Sequence, residues 1–312
     1  MKILITGLGF ISSNVAYFLS PKHDIKITYR SLNPVKELYT KILKEKGVDT
    51  TKLDVINETQ KLEELVKSND LIVNFVGDIQ GDEKVLYMAN VEVPSIIAQA
   101  CKKYNKVMIH ASGSTYGVTG KVTIEENHGE GLNPSTAFEK TKLQGEKELL
   151  NILGKNAIIL RPTLVYGRFN AHVQFVTIYK LVKLGIIPKL EIEFQPVSAR
   201  YIAYLIDSIA NGKLPSRNYF YATECSLVNL SEFFQIYAST INKKGIQIPI
   251  PNKLAEIALP KEVKSLLKYA GTVYDCTVMK EYVSNMEFDR EEVIENAKFL
   301  STLDKNKILI PT

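Results

Sequence analysis

Two glycines near the amino end of the chain are spaced for binding the phosphates of a nucleotide. The run Gly7-Leu8-Gly9-Phe10-Ile11-Ser12 follows a short apolar stretch and has the pattern G-x-G-x-x-S. Two such glycines allow a tight turn and let the backbone approach a pyrophosphate, which binds the amides and positive dipole of the next helix. Ser12, in place of a third glycine, is small enough for close helix–strand packing. The motif predicts a dinucleotide site, with a plain glycine-rich turn as the alternative.

The end of the second predicted strand indicates which dinucleotide is bound. Sites that prefer NAD place Asp or Glu there, about 20 residues after the glycines, to bind the ribose diol. This chain has Tyr29-Arg30-Ser31 instead, and the Arg30 guanidinium can pair with a 2′-phosphate. We therefore expect NADP(H) in preference to NAD, and the alternative is an Arg30 that only points to solvent.

The elements that must position these residues alternate between strands and helices through the first half of the chain. Runs of β-branched residues predict strands at Lys2–Thr6, Ile25–Tyr29, Thr51–Leu53, Leu71–Phe75, Val107–Ala111 and Ala157–Arg161. Helical spacing of apolar residues predicts helices at Ser13–Ser20, Val35–Lys46, Thr59–Ser68, Glu83–Tyr104 and Ser135–Leu153. This alternation predicts an α/β fold with a doubly wound parallel sheet, whose ligands bind at the carboxyl ends of the strands.

The pattern changes after Arg161 to isolated strands and helices, with frequent glycine and proline between them. Helices are predicted at Leu230–Asn242 and Asp289–Leu300. We predict a dinucleotide-binding domain over residues 1–165. Residues 166–312 are predicted to form a smaller C-terminal α/β lobe for the substrate, partly interleaved with the first domain.

Composition and charge exclude several classes of protein. The 312 residues are 45% hydrophobic and 23% charged, which is ordinary for a globular chain and rules out a disordered or fibrous one. A formal net charge of +5 without a basic block gives no argument for nucleic acid. The cysteines, Cys101, Cys225 and Cys276, lie far apart without a CxxC pair, which predicts a reduced compartment and no metal site. No apolar run is long enough to span a bilayer, so we expect a soluble, cytoplasmic protein.

Several short motifs occur in the order seen in one family. They are Thr6-Gly7-Leu-Gly9-Phe10-Ile11, Leu53-Asp54-Val55, Asn90-Val-Glu-Val, His110-Ala-Ser112-Gly-Ser-Thr-Tyr116-Gly117, Lys142-Leu-Gln-Gly-Glu146 and Leu160-Arg161-Pro162-Thr-Leu-Val-Tyr166-Gly167. Over about the first 240 residues the chain therefore resembles the extended short-chain dehydrogenase/reductases, the NAD-dependent epimerase/dehydratase group. The resemblance implies a Rossmann domain that binds the cofactor, a lobe that usually receives a nucleotide-sugar, and in many relatives a homodimer.

The resemblance also implies roles for single residues. It assigns the pyrophosphate turn to Gly7, Gly9, Phe10 and Ile11, the adenine contacts to Asp54 and Val55, the wall beside the ribose to Val76 and Gly77, and the nicotinamide-side strand end to Pro162 and Thr163. Ser112 matches the catalytic serine and Lys142 the catalytic lysine. In active relatives the lysine binds the nicotinamide ribose and lowers the pKa of a tyrosine from its ordinary value of about 10.

That tyrosine is missing from this chain. In the family it precedes the lysine by four residues, one helical turn, but here the position is Phe138. Phe138 can pack against a nicotinamide but cannot give or take a proton, and Glu139 should face another side of the helix. Tyr116 and Tyr166 are expected to be packing residues rather than replacement acids.

Other titratable residues near the strand ends are weaker candidates for acid–base work. Asp78 is the best of these, although a loop carboxylate is usually just solvated. His110 and His128 titrate near neutrality in principle, and a buried His110 in a strand is more often structural than a base.

Further motifs narrow the resemblance and leave two functions open. Leu71-Ile-Val-Asn74-Phe-Val-Gly77 and Phe194-Gln195-Pro196-Val197 look like the atypical branch that includes the NAD(P)H-binding accessory subunit of respiratory complex I. One hypothesis is an epimerase/dehydratase-like oxidoreductase that uses NADP or NAD and acts on a nucleotide-sugar or a related hydroxyl or carbonyl compound. The alternative is a catalytically silent scaffold, assembly factor or redox sensor that holds NADPH.

Overall fold

The computed structural model describes residues 1–113, 116–122, 132–249, 267 and 270–311. In chain order its strands are β1 (Lys2–Thr6), β2 (Asp24–Tyr29), β3 (Asp49–Lys52), β4 (Leu71–Asn74), β5 (Val107–Ala111), β6 (Lys121–Val122), β7 (Ala157–Pro162), β8 (Leu164–Tyr166), β9 (Ile186–Lys189), β10 (Glu193–Phe194), β11 (Pro196–Ser198), β12 (Tyr219–Ala222), β13 (Val228–Asn229), β14 (Ile246–Pro249) and β15 (Val273–Tyr274). Its helices are α1 (Phe10–Leu19), α2 (Pro34–Glu45), α3 (Thr59–Ser68), α4 (Glu83–Tyr87), α5 (Val93–Lys103), α6 (Ala137–Leu153), α7 (Val173–Lys183), α8 (Ala199–Ala210), α9 (Leu230–Thr240), α10 (Thr277–Tyr282) and α11 (Arg290–Lys305).

Seven parallel strands form the central sheet, in the order β12-β7-β5-β4-β1-β2-β3. From β1 the chain adds β2 and β3 on one side of the sheet. It then crosses back and adds β4, β5, β7 and β12 on the other side. The order reverses between β1 and β4, and open α/β sheets bind ligands beside such a switch point, at the carboxyl ends of the strands. We call this end of the sheet the carboxyl edge. The fold is Rossmann-type, as predicted.

Alternation along the strands covers both faces of the sheet. On β1, Ile3 and Ile5 pack into the larger of two buried clusters, and Leu4, which points to the opposite face, packs into the other. On β7, Leu160 and Ile159 divide in the same way. A parallel sheet with helices on both faces has no solvated side, so its strands are continuously apolar rather than alternately apolar and polar.

One predicted helix is interrupted. The sequence predicts one helix over Glu83–Tyr104, whereas α4 and α5 are separated by a π-helical turn at Met88–Glu92. The turn carries Asn90, whose side chain is fully buried. Apolar spacing did not reveal the break, because a π-turn adds one residue without removing the helical pattern on either side.

The predicted lobe and the central sheet share strands. β12 lies beyond residue 165, yet it pairs in parallel with β7 at the edge of the central sheet. The division into two domains at residue 165, with its interleaving, stays a prediction. None of the helices in the described ranges is long and apolar enough to cross a membrane.

Two cysteines correct an expectation from the sequence. Cys225, after β12, and Cys276, just before α10, form a disulfide with their Cα atoms 5.5 Å apart, which is the usual separation for such a bond. The prediction of reduced cysteines is therefore wrong for this pair. The two residues are 51 positions apart, so only tertiary contacts bring them together. Cys101 is free and buried.

Candidate dinucleotide site

The glycine turn lies between β1 and α1, at the switch point of the sheet. Gly7 has φ +90°, which side chains rarely adopt, and a Cβ there would lie 2.8 Å from the backbone nitrogen of Val76. Gly9 is the N-cap of α1, and apart from Gly9 itself and its two chain neighbours no atom of the described residues lies within 4 Å of the position of its Cβ. Phe10 and Ile11 follow in the first turn, where backbone N–H groups have no partner within the helix. The turn thus offers amides and space to a phosphate.

Three charged residues lie near the ends of β2 and β3. Arg30 follows Tyr29, the half-buried last residue of β2, and is exposed. Burial lowers the pKa of Lys36, and the positive charge of Arg30 lowers it further. The pKa of Asp54 is lowered mainly by the hydrogen bond from Asn57, and the charge of Arg30 also contributes. Arg30, Lys36 and Asp54 therefore form one charged group beside the switch point.

Asp54 shapes its own loop. Its side chain accepts hydrogen bonds from the backbone of Ile56 at 3.1 Å and from the Asn57 amide at 2.9 Å. Val55 is buried beside it. The backbone around Asp54 and Val55 is therefore held in one conformation at the carboxyl edge.

Lys142 lies under the loop that follows β4. Its Nζ occupies the space that a Cβ at Gly77 would need, and Asn90 Oδ1 is 3.0 Å from the same position. Nζ also donates to the carbonyl of Ala111 at the end of β5, 3.3 Å away. Asn90 in turn accepts from the backbone N–H of Asp78 at 2.9 Å. These contacts place the ammonium at the carboxyl edge between β4 and β5.

Burial changes the charge balance of Lys142. The side chain is buried, and desolvation lowers its pKa to about 8, against opposing attraction from Glu146 and Asp78. His110, on β5, is fully buried, and desolvation together with the charge on Lys142 lowers its pKa to about 3. Its Nδ1 accepts from the Asn74 amide at 2.8 Å. His110 is therefore neutral and structural, as expected.

Ser112 begins a buried chain of hydrogen bonds. Its Oγ is 2.6 Å from the hydroxyl of Tyr116, which donates to Glu146 Oε1 at 2.5 Å. Glu146 accepts from Arg161 Nη2 at 2.7 Å and from Nε at 3.1 Å. Desolvation and the neighbouring carboxylate raise the pKa of Tyr116 well above its usual range. Tyr116 is thus a polar link between the strand end and α6 rather than an apolar packing residue or a replacement acid.

Phe138 is in the first turn of α6 and half-buried. Its ring lies 3.7 Å from the position of a Cβ at Gly113, next to Ser112. Glu139 is buried and belongs to the capping box of the helix: it accepts from the backbone N–H of Ser135 and of Thr136. The Glu139 carboxylate is therefore engaged in capping α6. Phe138 is beside Ser112 but brings no group that can exchange a proton.

The end of β7 closes this side of the site. Pro162 is its last residue and Thr163 is buried directly after it, with its hydroxyl donating to Thr223 at 3.1 Å. The described residues contain no group of three His, Cys, Asp or Glu side chains that could hold a metal ion.

The structure adds partners that spacing alone did not reveal. Lys36 joins Arg30, Asn90 holds the loop near Lys142, and Glu146 with Arg161 anchors Tyr116. Asn90, Glu146 and Arg161 occur inside the sequence motifs of the family. Those motifs could have pointed to these residues, but the resemblance assigned them no role.

Asp78 and Tyr166 are the weaker acid–base candidates, and the charge of Asp78 acts on Lys142. Asp78 is exposed, and its carboxylate accepts from the backbone of Ile79 and Gln80. Tyr166 donates to Glu224 at 2.7 Å in the C-terminal part of the chain. His128 lies outside the described residues.

Comparisons with known proteins found a matching family and similar structures. The model of the NAD dependent epimerase/dehydratase family matches residues 3–183. The structure of UDP-glucuronic acid 4-epimerase from Bacillus cereus, in complex with NAD, is similar with a TM-score of 0.74 and 18% identity, covering 98% of each chain. The enzyme WbmH of Bordetella bronchiseptica, in complex with NAD+, has a TM-score of 0.71 and 14% identity, covering 96% of this chain and 98% of that one.

A third similar structure is a reductase. It is a dTDP-4-dehydrorhamnose reductase ortholog from Clostridium acetobutylicum, with a TM-score of 0.64 and 18% identity, covering 97% of this chain and all of that one. At these identities the likeness shows a shared fold. No curated protein sequence matches the chain.

Substituting Lys142 tests the cost of burying its charge. We expect Lys142→Met to raise the free energy of unfolding at pH 7 by about 3 kcal/mol, because the pKa is lowered from 10.5 to about 8 and one pKa unit is about 1.4 kcal/mol. From pH 8 to 10.5 the unfolded chain holds more protons, so wild-type stability rises and the advantage of Met shrinks. Urea unfolding at several pH values measures this.

The matched control is Lys140→Met, which changes an exposed lysine on the same helix and should alter stability by less than about 0.5 kcal/mol. A pH-independent loss of stability in Lys142→Met would contradict the expectation.

Proposed function

This chain belongs to the NAD dependent epimerase/dehydratase family, and we propose that it is an NADP(H)-binding oxidoreductase. Its substrate in this proposal is a nucleotide-sugar or a related hydroxyl or carbonyl compound. The observation that carries the proposal is the buried Lys142 ammonium under Gly77, at the same carboxyl edge as the glycine turn. A buried ammonium is costly unless something gains from it, and a ribose diol offers it two acceptors.

The residues present fit a nicotinamide dinucleotide. We assign the pyrophosphate to the turn formed by Gly7, Gly9, Phe10 and Ile11, because the space beside Gly9 and the amides of the first turn of α1 match an anion. The adenine end is assigned to Asp54 and Val55.

The other end of the dinucleotide is assigned to the side of the sheet beyond the switch point. Val76, Gly77 and Lys142 would hold the nicotinamide ribose, and Pro162 with Thr163 would border the ring. When bound, the cofactor supplies a hydride acceptor or donor. The similar epimerase and WbmH structures both contain NAD.

The charged group near β2 favours the phosphorylated cofactor. Arg30 and Lys36 present two positive charges where an NAD-binding site would present a carboxylate. Lys36 is half-buried in the first turn of α2, where the helix dipole adds to the attraction for an anion. We therefore assign a 2′-phosphate to Arg30 and Lys36.

Catalysis by this site would depend on positioning more than on proton transfer. The chain can hold cofactor and substrate at reacting distance, which supplies much of the rate of a hydride transfer. Phe138 removes the usual acid, and positioned acid–base catalysis contributes about 10²–10⁴-fold. Water, Asp78 or a substrate group would then carry the proton.

The same observation favours a second candidate. With Phe138 beside Ser112, the site can retain NADPH without turnover, as in a scaffold, an assembly protein or a redox sensor. The atypical branch that includes the complex I accessory subunit is the model for this alternative.

A pair of glycine variants tests cofactor binding. We expect Gly9→Ala to leave the free energy of unfolding within about 1 kcal/mol, because the added methyl meets open space and the backbone is extended (φ −151°). The same methyl should weaken NADPH binding at least tenfold by occupying the phosphate position. Calorimetric titration and urea unfolding measure the two effects.

Gly7→Ala is the contrasting variant. Its positive φ and the 2.8 Å approach to Val76 N should lower stability by about 1–3 kcal/mol. Unchanged NADPH affinity in a folded Gly9→Ala protein would remove the assignment of the turn.

Arg30→Ala tests the choice of cofactor. We expect its affinity for NADPH to fall about tenfold to a hundredfold while that for NADH changes little, because only NADPH carries the phosphate that pairs with a charged donor. Fluorescence titration with NADPH and with NADH measures the ratio of the two affinities. Arg217→Ala, at another exposed arginine, is the control. A wild-type preference for NADH that persists in Arg30→Ala would contradict the assignment.

Phe138→Tyr separates the two candidate functions. If the protein is an enzyme, this substitution should raise turnover of NADPH with a panel of keto nucleotide-sugars and quinones, which can accept its hydride, by about 10²–10⁴-fold, because it restores a phenol one turn from Lys142. Absorbance at the NADPH band measures turnover, and Phe138→Leu is the control without a hydroxyl. If wild type and Phe138→Tyr both bind NADPH and neither turns it over, the result would favour the scaffold.

A further inference from the structure

A buried ion pair stands at one end of the hydrogen-bond chain that reaches Ser112. Arg161, on β7, contacts both carboxylate oxygens of Glu146, on α6. Glu146 is fully buried and Arg161 is 2% exposed. An arginine is always protonated, and a buried guanidinium left without its carboxylate is strongly destabilising. Glu146 is therefore ionised, and an ionised carboxylate has no proton to donate.

The ionised carboxylate determines the direction of the next hydrogen bond. The hydroxyl of Tyr116 lies 2.5 Å from Glu146 Oε1. Because only the phenol has a proton, Tyr116 donates and Glu146 accepts. Desolvation and the charge on Glu146 hold the Tyr116 pKa far above neutrality, so the phenol keeps that proton. Its single proton is thus committed to Glu146.

Ser112 must then be the donor in the following bond. Its Oγ is 2.6 Å from the Tyr116 hydroxyl, which leaves room for one proton between the two oxygens. Tyr116 has none left to give, and its oxygen also accepts from the Gly113 backbone N–H at 3.3 Å. The only hydroxyl proton of Ser112 therefore points away from the substrate side, toward Tyr116.

Ser112 is the member of the chain nearest to the surface. It is 8% exposed, compared with 1% for Tyr116, and follows β5 directly at the carboxyl edge. Lys142 binds the carbonyl of the preceding residue, and Phe138 lies against the next one. The outward side of Ser112 is therefore in the region assigned to the nicotinamide.

We infer that Ser112 presents only hydrogen-bond acceptors to a ligand, and that the site selects a hydroxyl over the corresponding carbonyl. This inference rests on the proposed function for its ligand class. A sugar hydroxyl can donate to Ser112 Oγ, whereas a carbonyl oxygen would face lone pairs and find no donor there. Ser112 is thus a specificity-determining residue, and Tyr116, Glu146 and Arg161 are its positioning residues.

Neutron diffraction of the deuterium-exchanged protein with NADPH tests the proton positions directly. We expect one deuteron on Ser112 Oγ directed at Tyr116, and one on Tyr116 directed at Glu146. A deuteron on Tyr116 directed at Ser112, or one on Glu146, would overturn the inference. This readout requires no substrate, so it decides the inference even if the nucleotide-sugar part of the proposed function fails.

Ligand binding tests the consequence. The probes are UDP-6-deoxyglucose and its 4-keto counterpart, each measured by calorimetry with the cofactor form that cannot react with it. Tyr116→Phe frees the Ser112 proton, so the hydroxyl-to-ketone affinity ratio should fall about tenfold, the value of one hydrogen bond. Tyr166→Phe removes a comparable buried tyrosine–glutamate bond elsewhere and should leave the ratio unchanged.

The outcomes separate the two proposals. If the hydroxyl-to-ketone affinity ratio is equal in wild type and Tyr116→Phe, the inferred selection of a hydroxyl is overturned. If Tyr166→Phe lowers this ratio as much as Tyr116→Phe does, the effect is not specific to Ser112, and the inference is overturned as well. Failure of wild type to bind either sugar would reject the proposed substrate class, and the neutron result would still stand for or against the inferred donor direction.

Discussion

The ion pair between Glu146 and Arg161 connects the parts of the site. It joins α6 to β7 inside the protein, where both side chains are removed from water. A buried pair of this kind contributes little net stability against an apolar pair, but breaking it is costly, so it holds one arrangement. Because α6 carries Phe138 and Lys142, this pair positions both of them at the carboxyl edge. It also orders the protons from Tyr116 to Ser112.

Around that pair, the site has several groups suited to binding a dinucleotide but few that could transfer a proton. The glycine turn, the buried Lys142 and the positive group at Arg30 all favour an anionic dinucleotide. The positions that would exchange protons with a substrate offer no free group for it. Position 138 is apolar, and the hydroxyl of Ser112 is engaged with Tyr116. Both proposed functions, a slow enzyme and a silent NADPH-binding protein, are therefore compatible with this geometry.

The hydroxyl selection inferred for Ser112 bears on this contrast. A site that accepts a hydrogen bond from a hydroxyl binds the reduced form of a substrate and gives its carbonyl form no donor at Ser112. Lys142, with a pKa lowered to about 8, remains the nearby donor. Its contact with the Ala111 carbonyl holds it on the cofactor side of the site.

Much of the fold follows from local patterns. Strand and helix limits for β1, β5 and α3 agree with those predicted, because short apolar runs and helical spacing reflect burial on defined faces. The π-turn at Met88–Glu92 does not follow, since it preserves the apolar spacing on both sides. The Cys225–Cys276 pair does not follow either, because 51 residues separate its members.

The amino-acid sequence by itself determined the parallel sheet, the glycine turn and the absence of a tyrosine at position 138, since each depends on residue types at short spacing. Only the tertiary structure decided what surrounds them. It placed Lys36 beside Arg30 and buried Lys142 under Gly77. It also joined Ser112 to a carboxylate 34 residues away through Tyr116, because α6 packs against β7, the neighbour of the strand that Ser112 follows.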